Sequence, residues 1–505
     1  MINLHPLDMM RILPEIILSG FAVLIMVLEP FVGAASKKLL GWMALLGVGA
    51  AGAATAQLNF SPWPGMGPAF GGAVAADEFS SYFIYLFLFV AALVILGSMD
   101  YLERDNHQHG EFYALLLMGT VGMCFMASST DLIMIFLGLE ISSISTYILA
   151  GYRRADLLSN EASLKYFLLG SFATAFFLYG IAFVYGLTGT TNLLAAGTQL
   201  NNPWHWGTYS QAALSAQLGV PLPWPTLAQV ALILMFVGLA FKLSTAPFQI
   251  WAPDVYQGAP APVTAFMSVG PKAAAFAILL RIFLGSFAAG NGVSFWILWI
   301  SAALTMCVGN LGALWQPNVK RLLAYSSIAH AGYVLVGVTA GGTRGISGVL
   351  YYLVAYALMN VGAFIMIAYL AGAGERLVQV DDYKGLAYSR PAVAACLTVF
   401  FLSLAGFPTT AGFLGKFYIF RAAIQSHLVG LTILALLNST VSVYYYFKII
   451  VAMYMHEGKT ETSDVILPWP VRTALAVCIF GIFYLGLAPN GFVGLGALAT
   501  QALPK

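Results

Sequence analysis

The sequence predicts an all-α integral membrane protein of about fourteen transmembrane helices, two of them broken. Of 505 residues, 60% are hydrophobic and only 8% charged, against about 25% charged in a soluble domain. A water-soluble fold of this length could not cover its surface with so few charges. Apolar runs such as Ile12–Leu28, Phe79–Leu96, Ala162–Gly186 and Leu227–Ala240 recur along the whole chain. Each is near the ~20 residues that carry a helix across a hydrocarbon core. A transmembrane β-barrel would instead show segments of about ten residues with alternating polarity, and the sequence has none.

In chain order, the first run is centred near Val23. No basic stretch and small-residue cleavage site accompany it, so a retained helix is expected. Spans centred near Leu46, Leu88, Thr120, Ile141 and Ala175 follow. The polar connection Thr188–Thr226 then leads to spans near Val237, Ala274, Leu304, Val334 and Val361, and last to Ser403, Val441 and Gly481. Pro247 and Pro408 interrupt two of these runs, each with a lysine nearby. Proline cannot continue a helix, and paired broken helices in two halves of a chain mark a transporter's binding region. A faint repeat points the same way: the stretch from Lys165 resembles that from Leu350, each opening a long apolar helix.

Lysine and arginine concentrate in alternate connections: Lys37 and Lys38, Arg104, Arg153 and Arg154, Lys320 and Arg321, Arg376 with Lys384 and Arg390, then Lys459. Asn59–Asp77 and Thr188–Thr226 hold none, and Gly341–Gly345 only Arg344. Retention of basic loops on the cytoplasmic side predicts both termini outside, periplasmic in a bacterial inner membrane. The net charge of +2, with no basic run, offers nothing to nucleic acid. Cys124, Cys307, Cys396 and Cys478 are far apart in apolar runs and read as packing residues.

A charge at bilayer depth costs at least ~2.5–3.5 kcal/mol and marks function. Glu140 lies nine residues past Asp131 and thirteen before Arg153, near mid-membrane at the helical rise. Lys242, Lys272, Lys416 and His330 sit inside apolar runs as well. A desolvated ammonium gives up its proton more readily and a nearby carboxylate restores it. Groups of these types joined by water make a proton relay, and a broken helix supplies freed backbone and a hydrated gap. Lys165, near a span end, is a sixth candidate, although it and Lys448 could instead snorkel to the headgroups. Glu15 and Glu29 bracket the first span and read as interfacial.

The stretch Phe241–Phe266 (FKLSTAPFQIWAPDVYQGAPAPVTAF) resembles the subunit N branch of the antiporter-like membrane subunits of bacterial NADH-quinone oxidoreductase, or complex I. Leu13–Ile16, Gly138–Glu140, Lys320–Tyr333 and Leu404–Lys416 fit the same pattern, so the resemblance runs over essentially the whole chain. It implies two inverted five-helix repeats: residues 1–110 as N-terminal helices, 111–290 and 291–460 as the repeats, and 461–505 as a C-terminal helix. It makes Glu140 and Lys242 the interacting pair of the first half-channel. Lys272 becomes the central relay with His330 near it, and Lys416 faces the exit, while the role of Lys165 stays open. Gln249 departs from the pattern, standing where family members carry His.

The resemblance further implies proton translocation by a non-redox subunit without its own cofactor; flavin, iron–sulfur clusters and quinone belong elsewhere in the complex. The partners it implies are antiporter-like subunit M, small subunit K, the lateral helix of subunit L, and lipids. Two rivals share the buried charges: a subunit of a multisubunit sodium/proton antiporter, and a solute transporter. A passive scaffold has little reason to carry four charges at mid-membrane.

Overall fold

The computed structural model describes residues 6–33, 36–60, 69–201, 224–287, 292–457 and 467–502. Lys459 and residues 202–223 of the Thr188–Thr226 connection lie outside the described residues. The bundle opens with Leu13–Leu28 (α1), Lys38–Phe60 (α2), Glu78–Arg104 (α3), Gly110–Ser128 (α4), Leu132–Ala150 (α5) and Leu157–Thr188 (α6). Trp224–Leu243 (α7) and Trp251–Gly258 (α8) come next, then Ala261–Leu279 (α9), Gly292–Leu314 (α10), Val319–Ala340 (α11) and Gly342–Leu370 (α12). Pro391–Ala405 (α13), Ala411–Gln425 (α14), Val429–Met455 (α15), Trp469–Leu487 (α16) and Asn490–Gln501 (α17) complete it.

Among the described residues twelve helices are long and apolar enough to cross a membrane, and Leu227–Leu243 and Pro391–Ala405 are shorter apolar helices. These two shorter ones are the first halves of the spans broken at residues 244–250 and 406–410, which brings the spans to the expected fourteen. Short polar residues start several helices by capping N–H groups that have no intrahelical partner. Asp77 accepts from Ser80 N at 2.7 Å, Asp131 from Ile133 N at 2.9 Å and Asn318 from Arg321 N at 3.1 Å. Several acids of this apolar chain thus sit at span starts because the backbone there needs acceptors.

The order of elements repeats. Helices α4, α5, α6, the broken span α7–α8 and α9 are followed by α10, α11, α12, the broken span α13–α14 and α15. Five spans is an odd number, so the second set enters the membrane from the opposite side and the repeats are inverted. Lys165 and Leu350 occupy the same place in α6 and α12, each eight residues past the first residue of its helix (157 to 165, 342 to 350).

Lipid offers no hydrophobic drive for helices to associate, so close packing through small residues does that work. Gly122 of α4 and Gly138 of α5 face each other so closely that a Cβ on Gly122 would stand 2.6 Å from the Gly138 carbonyl oxygen. At the centre lies α9, buried at every residue from Ala261 to Leu279. It is tied at both ends. At its start, Glu375 accepts from Ala261 N at 2.6 Å, and Lys320 donates to the Ala259 carbonyl at 2.6 Å. Just past its end, Arg281 donates to both carboxylate oxygens of Asp77 at 2.9 and 3.0 Å, and to Ala127 O at 2.8 Å. Arg153, Lys320, Arg321, Asp254 and Glu375 gather at one end of the bundle, in keeping with the alternation of basic connections in the sequence.

Candidate functional site

Lys242 is the penultimate residue of α7, where the chain breaks before Pro247. The C-terminal end of a helix carries partial negative charge and favours a cation. The ammonium is 2% exposed and donates to Ser143 Oγ on α5 at 2.8 Å and to Tyr166 OH on α6 at 3.4 Å. The rings of Tyr147 and Tyr166 lie 5.5 and 5.3 Å from it, within cation–π range. The break is satisfied locally: Ala246 N donates to Thr305 Oγ1 of α10 at 2.9 Å, and Trp251 Nε1 to the Phe241 carbonyl at 2.9 Å.

Lys272, midway along α9, is equally buried. Its ammonium donates to Ser327 Oγ of α11 and lies 5.4 Å from the Tyr256 ring. One turn past Ser327, His330 bonds through Nδ1 to Tyr352 OH at 2.5 Å and through Nε2 to Tyr446 OH at 3.0 Å. Tyr446 OH is also hydrogen-bonded to Ser326 Oγ. Residues three and four apart share a helix face, so α11 presents Ser326, Ser327 and His330 together.

Lys416 is buried as well. It lies in α14, yet its ammonium turns back to the C-terminal carbonyls of α13, donating to Leu404 O at 3.1 Å and Ala405 O at 3.0 Å. A third bond goes to Ser439 Oγ of α15 at 3.0 Å, and the Tyr333 ring lies at 5.1 Å. Gly406 holds the break with φ of +91°, and a Cβ there would press within 3.4 Å of the ammonium. Both broken spans therefore aim the C-terminal end of a half-helix at a lysine.

A common chemistry emerges. Lys242, Lys272 and Lys416 each rest on a serine hydroxyl, and among the described residues none has a carboxylate within ion-pair distance. A hydroxyl both donates and accepts, so it can bond the ammonium and the neutral amine alike. A carboxylate in its place would hold the lysine charged. Glu140 is not in direct contact with Lys242: it lies one turn before Ser143 on the same helix, and its Oε1 is buried without a hydrogen-bond partner. The sequence expectation of an interacting pair thus meets two groups without an ion pair between them, Glu140 lying one turn from the serine that holds Lys242.

Lys165 stands apart from these. It pairs with Asp254 and Glu161, each at 2.6 Å, and its side chain is 40% exposed. Arg321 completes the cluster through Asp254 at 2.5 Å. Gln249, in the break, has its Oε1 buried and without a hydrogen-bond partner.

Comparison with known proteins now has a geometry to meet. Residues 129–442 match the family NADH:quinone oxidoreductase/Mrp antiporter, TM. The chain belongs to this family. It is 48% identical over 490 residues to NADH-quinone oxidoreductase subunit N 1 of Solibacter usitatus, covering 96% of each chain. Among solved structures it resembles a chain of respiratory complex I from Thermus thermophilus, with a TM-score of 0.77, 35% identity, and coverage of 96% of this chain and 99% of that one. A chain of the Mrp complex from Dietzia sp. shares the fold, with a TM-score of 0.80 at 20% identity over 98% of this chain and 97% of that one.

In this NADH:quinone oxidoreductase/Mrp antiporter fold, several residues of the site escaped sequence reading. Serines and tyrosines are common in apolar helices, so nothing in the sequence singles out Ser143, Ser327, Ser439, Tyr352 or Tyr446. Lys320 reads as a loop charge but forms a buried pair with Glu375 at 2.5 Å, the side chains 1% and 2% exposed. Glu15, read as interfacial, is buried with both oxygens unpartnered, because α1 packs its first turn against the bundle. No signal in the sequence singles out Glu375, since its connection also carries Asp381 and Asp382 beside Arg376, Lys384 and Arg390.

Proposed function

We propose that the chain is the proton-translocating subunit N of a bacterial NADH-quinone oxidoreductase. It is a non-redox member of the membrane arm that moves protons through Glu140, Lys242, Lys272, His330 and Lys416. The observation that carries this reading is the set of three buried lysines on serine hydroxyls, each free to change charge. Identity of 48% over nearly the full length to a subunit N relative supports it. Quinone reduction elsewhere in the complex alters charge along the arm, and charge arriving near Glu140 changes the proton affinity of Lys242. The proton then passes to Lys272, along the α11 face through Ser327 and His330, and out past Lys416. Lys165, with Glu161 and Asp254, forms the half-exposed mouth of the path.

In this reading the chain is a multi-pass protein of the inner membrane with both termini periplasmic. Subunits M and K, the lateral helix of subunit L, and lipids surround it, while flavin, iron–sulfur clusters and quinone lie in other subunits.

The test is to extract the tagged chain from its native membrane in mild detergent and assay the isolate for flavin, iron–sulfur signals and NADH-quinone activity. Co-purification with that activity is expected. Recovery with other membrane proteins only, without flavin, would move the chain to the sodium/proton antiporters. Solute uptake that persists after Glu140→Gln would favour a transporter.

Lys165→Ala tests the mouth. Its ion pairs are partly exposed, and such pairs contribute about 0–1 kcal/mol, so pumping in vesicles should slow by no more than about fivefold. Complete loss of pumping in an assembled Lys165→Ala complex would place this lysine inside the relay instead.

A further inference from the structure

The end of the bundle opposite Arg153 and Lys320 is poor in cations, yet two arginines converge there. Arg344 lies in the first turn of α12 and Arg421 in the last turns of α14, and both line one hollow of about 240 Å³. Arg344 Nη1 donates to Gln425 Oε1 at 2.9 Å. Among the described residues neither arginine has a carboxylate partner, and no acid lines the hollow. Ser347 lines it too; this residue is nine-tenths buried, and its Oγ has no hydrogen-bond partner. Ala497 of α17 closes the far wall. Two guanidinium forks and an idle hydroxyl without an acid are a donor set for an oxyanion with several acceptor oxygens.

A second cleft, of about 500 Å³ between α14 and α15, shares Arg421 and Gln425 with the first. Apart from Lys416 and Gly406 at its inner end and two hydroxyls, its wall is hydrocarbon and aromatic, with Phe413, Phe417, Ile424 and Leu436. Those four side chains are all exposed at the surface that faces lipid. A polar, doubly cationic hollow that opens beside an apolar furrow is complementary to one kind of molecule, an amphiphile with an anionic head. Basic pockets between transmembrane helices on the cytoplasmic or matrix side bind phospholipid head groups, and guanidinium forks hold a phosphate by the same chemistry at the opposite end.

We propose that this end of α14 binds an anionic phospholipid, its phosphate between Arg344 and Arg421 and one acyl chain in the α14–α15 furrow. The occupant is a lipid because the furrow and the hollow meet at the same arginine. A free phosphate would use the hollow alone.

The experiment uses the full chain in its purified complex, delipidated in mild detergent and examined by native mass spectrometry with added palmitoyl-oleoyl phosphatidylglycerol. Wild type should retain a phosphatidylglycerol that the Arg344→Gln/Arg421→Gln variant loses. Affinity should fall about tenfold for each guanidinium removed, as charge-assisted hydrogen bonds require. Both arginines are exposed, so the variant should keep its circular dichroism spectrum, and Ser347→Ala should weaken binding by a smaller factor. Palmitoyl-oleoyl glycerol, which has the chains but no phosphate, should not be retained. Equal retention of phosphatidylglycerol by wild type and double variant overturns the site. So does its displacement by millimolar inorganic phosphate, which would make the hollow a free-anion site. Loss of a neighbouring protein subunit from the double variant with the lipid kept would make this face a protein interface and overturn it as well.

Discussion

Lys242→Met is expected to lower proton translocation by about a hundredfold, the low end of what a positioned proton-transfer group contributes, while the subunit still inserts and assembles. The side chain that Met replaces is 2% exposed and similar in length, so no cavity opens. Ser143 Oγ keeps a second partner, the Leu139 carbonyl at 2.6 Å, and the Tyr166 hydroxyl loses only a 3.4 Å contact. Removing a desolvated cation relieves a burial cost and leaves no opposite charge stranded, because no carboxylate is paired with it. What the variant lacks is the amine between Ser143 of α5 and Tyr166 of α6 that can gain and lose a proton. The check is the proton-to-electron ratio in inverted vesicles, with assembly followed on native gels. An assembled complex that pumps at the wild-type ratio would remove Lys242 from the relay. Lys416→Met should behave alike for the same reason, since no carboxylate is paired with it and its partners are two carbonyls and a serine hydroxyl.

Glu375→Ala should do the reverse, sparing the relay chemistry but costing the fold about 3–5 kcal/mol, the usual penalty for stranding one partner of a buried ion pair. Glu375 accepts from Tyr101 OH at 2.6 Å, Ala261 N at 2.6 Å and Lys320 at 2.5 Å, with Arg153 at 3.9 Å. Without it, Lys320 is left buried and unpaired, and α9 loses the acceptor at its start. Little assembled protein is expected at growth temperature. A Glu375→Gln/Lys320→Met double variant removes both charges and should recover most of it, since Arg153 keeps Asp156 at 2.9 Å. If Glu375→Ala melts in detergent at the wild-type temperature, the cluster is not what holds α9.

The same carboxylate gives the stability a sign against pH. Burial alone would raise the Glu375 pKa, but Lys320 and Arg153 outweigh it and hold the group below its ordinary value of 4.5. A pKa depressed by folding stabilises fully above the unfolded value and ceases to do so as pH falls through the folded one. Melting temperature should therefore be steady from neutral pH to about pH 5 and fall below about pH 4. Glu375→Gln, with no proton to take up, should show a shallower acid fall. An identical fall in both would assign the acid sensitivity elsewhere.

Much of this was legible in the residues. Glu140, Lys242, Lys272, His330 and Lys416 stand out because each interrupts a run otherwise long enough to span a bilayer, and that is a property of about twenty consecutive residues. Pro247 and Pro408 announce the two breaks for an equally local reason, the missing N–H. The reading reached less far where a residue's environment is built by distant segments. Lys320 follows Asn318 in what looks like an ordinary basic turn, and only the return of the chain at Glu375, fifty-five residues on, makes it a buried ion pair. Lys165, near a span end, reads either as a relay group or as a snorkelling cation, and only the fold brings Asp254 of α8 beside it at 2.6 Å.

The sequence by itself determined the membrane class, the fourteen spans, the two breaks and the charges at bilayer depth, because insertion energetics are summed segment by segment. Only the tertiary structure decided what each lysine rests on. The neighbour is a serine hydroxyl for Lys242, Lys272 and Lys416 and a carboxylate for Lys320. A hydrogen bond is formed across helices that touch, and its strength depends on ångströms that no spacing along the chain records.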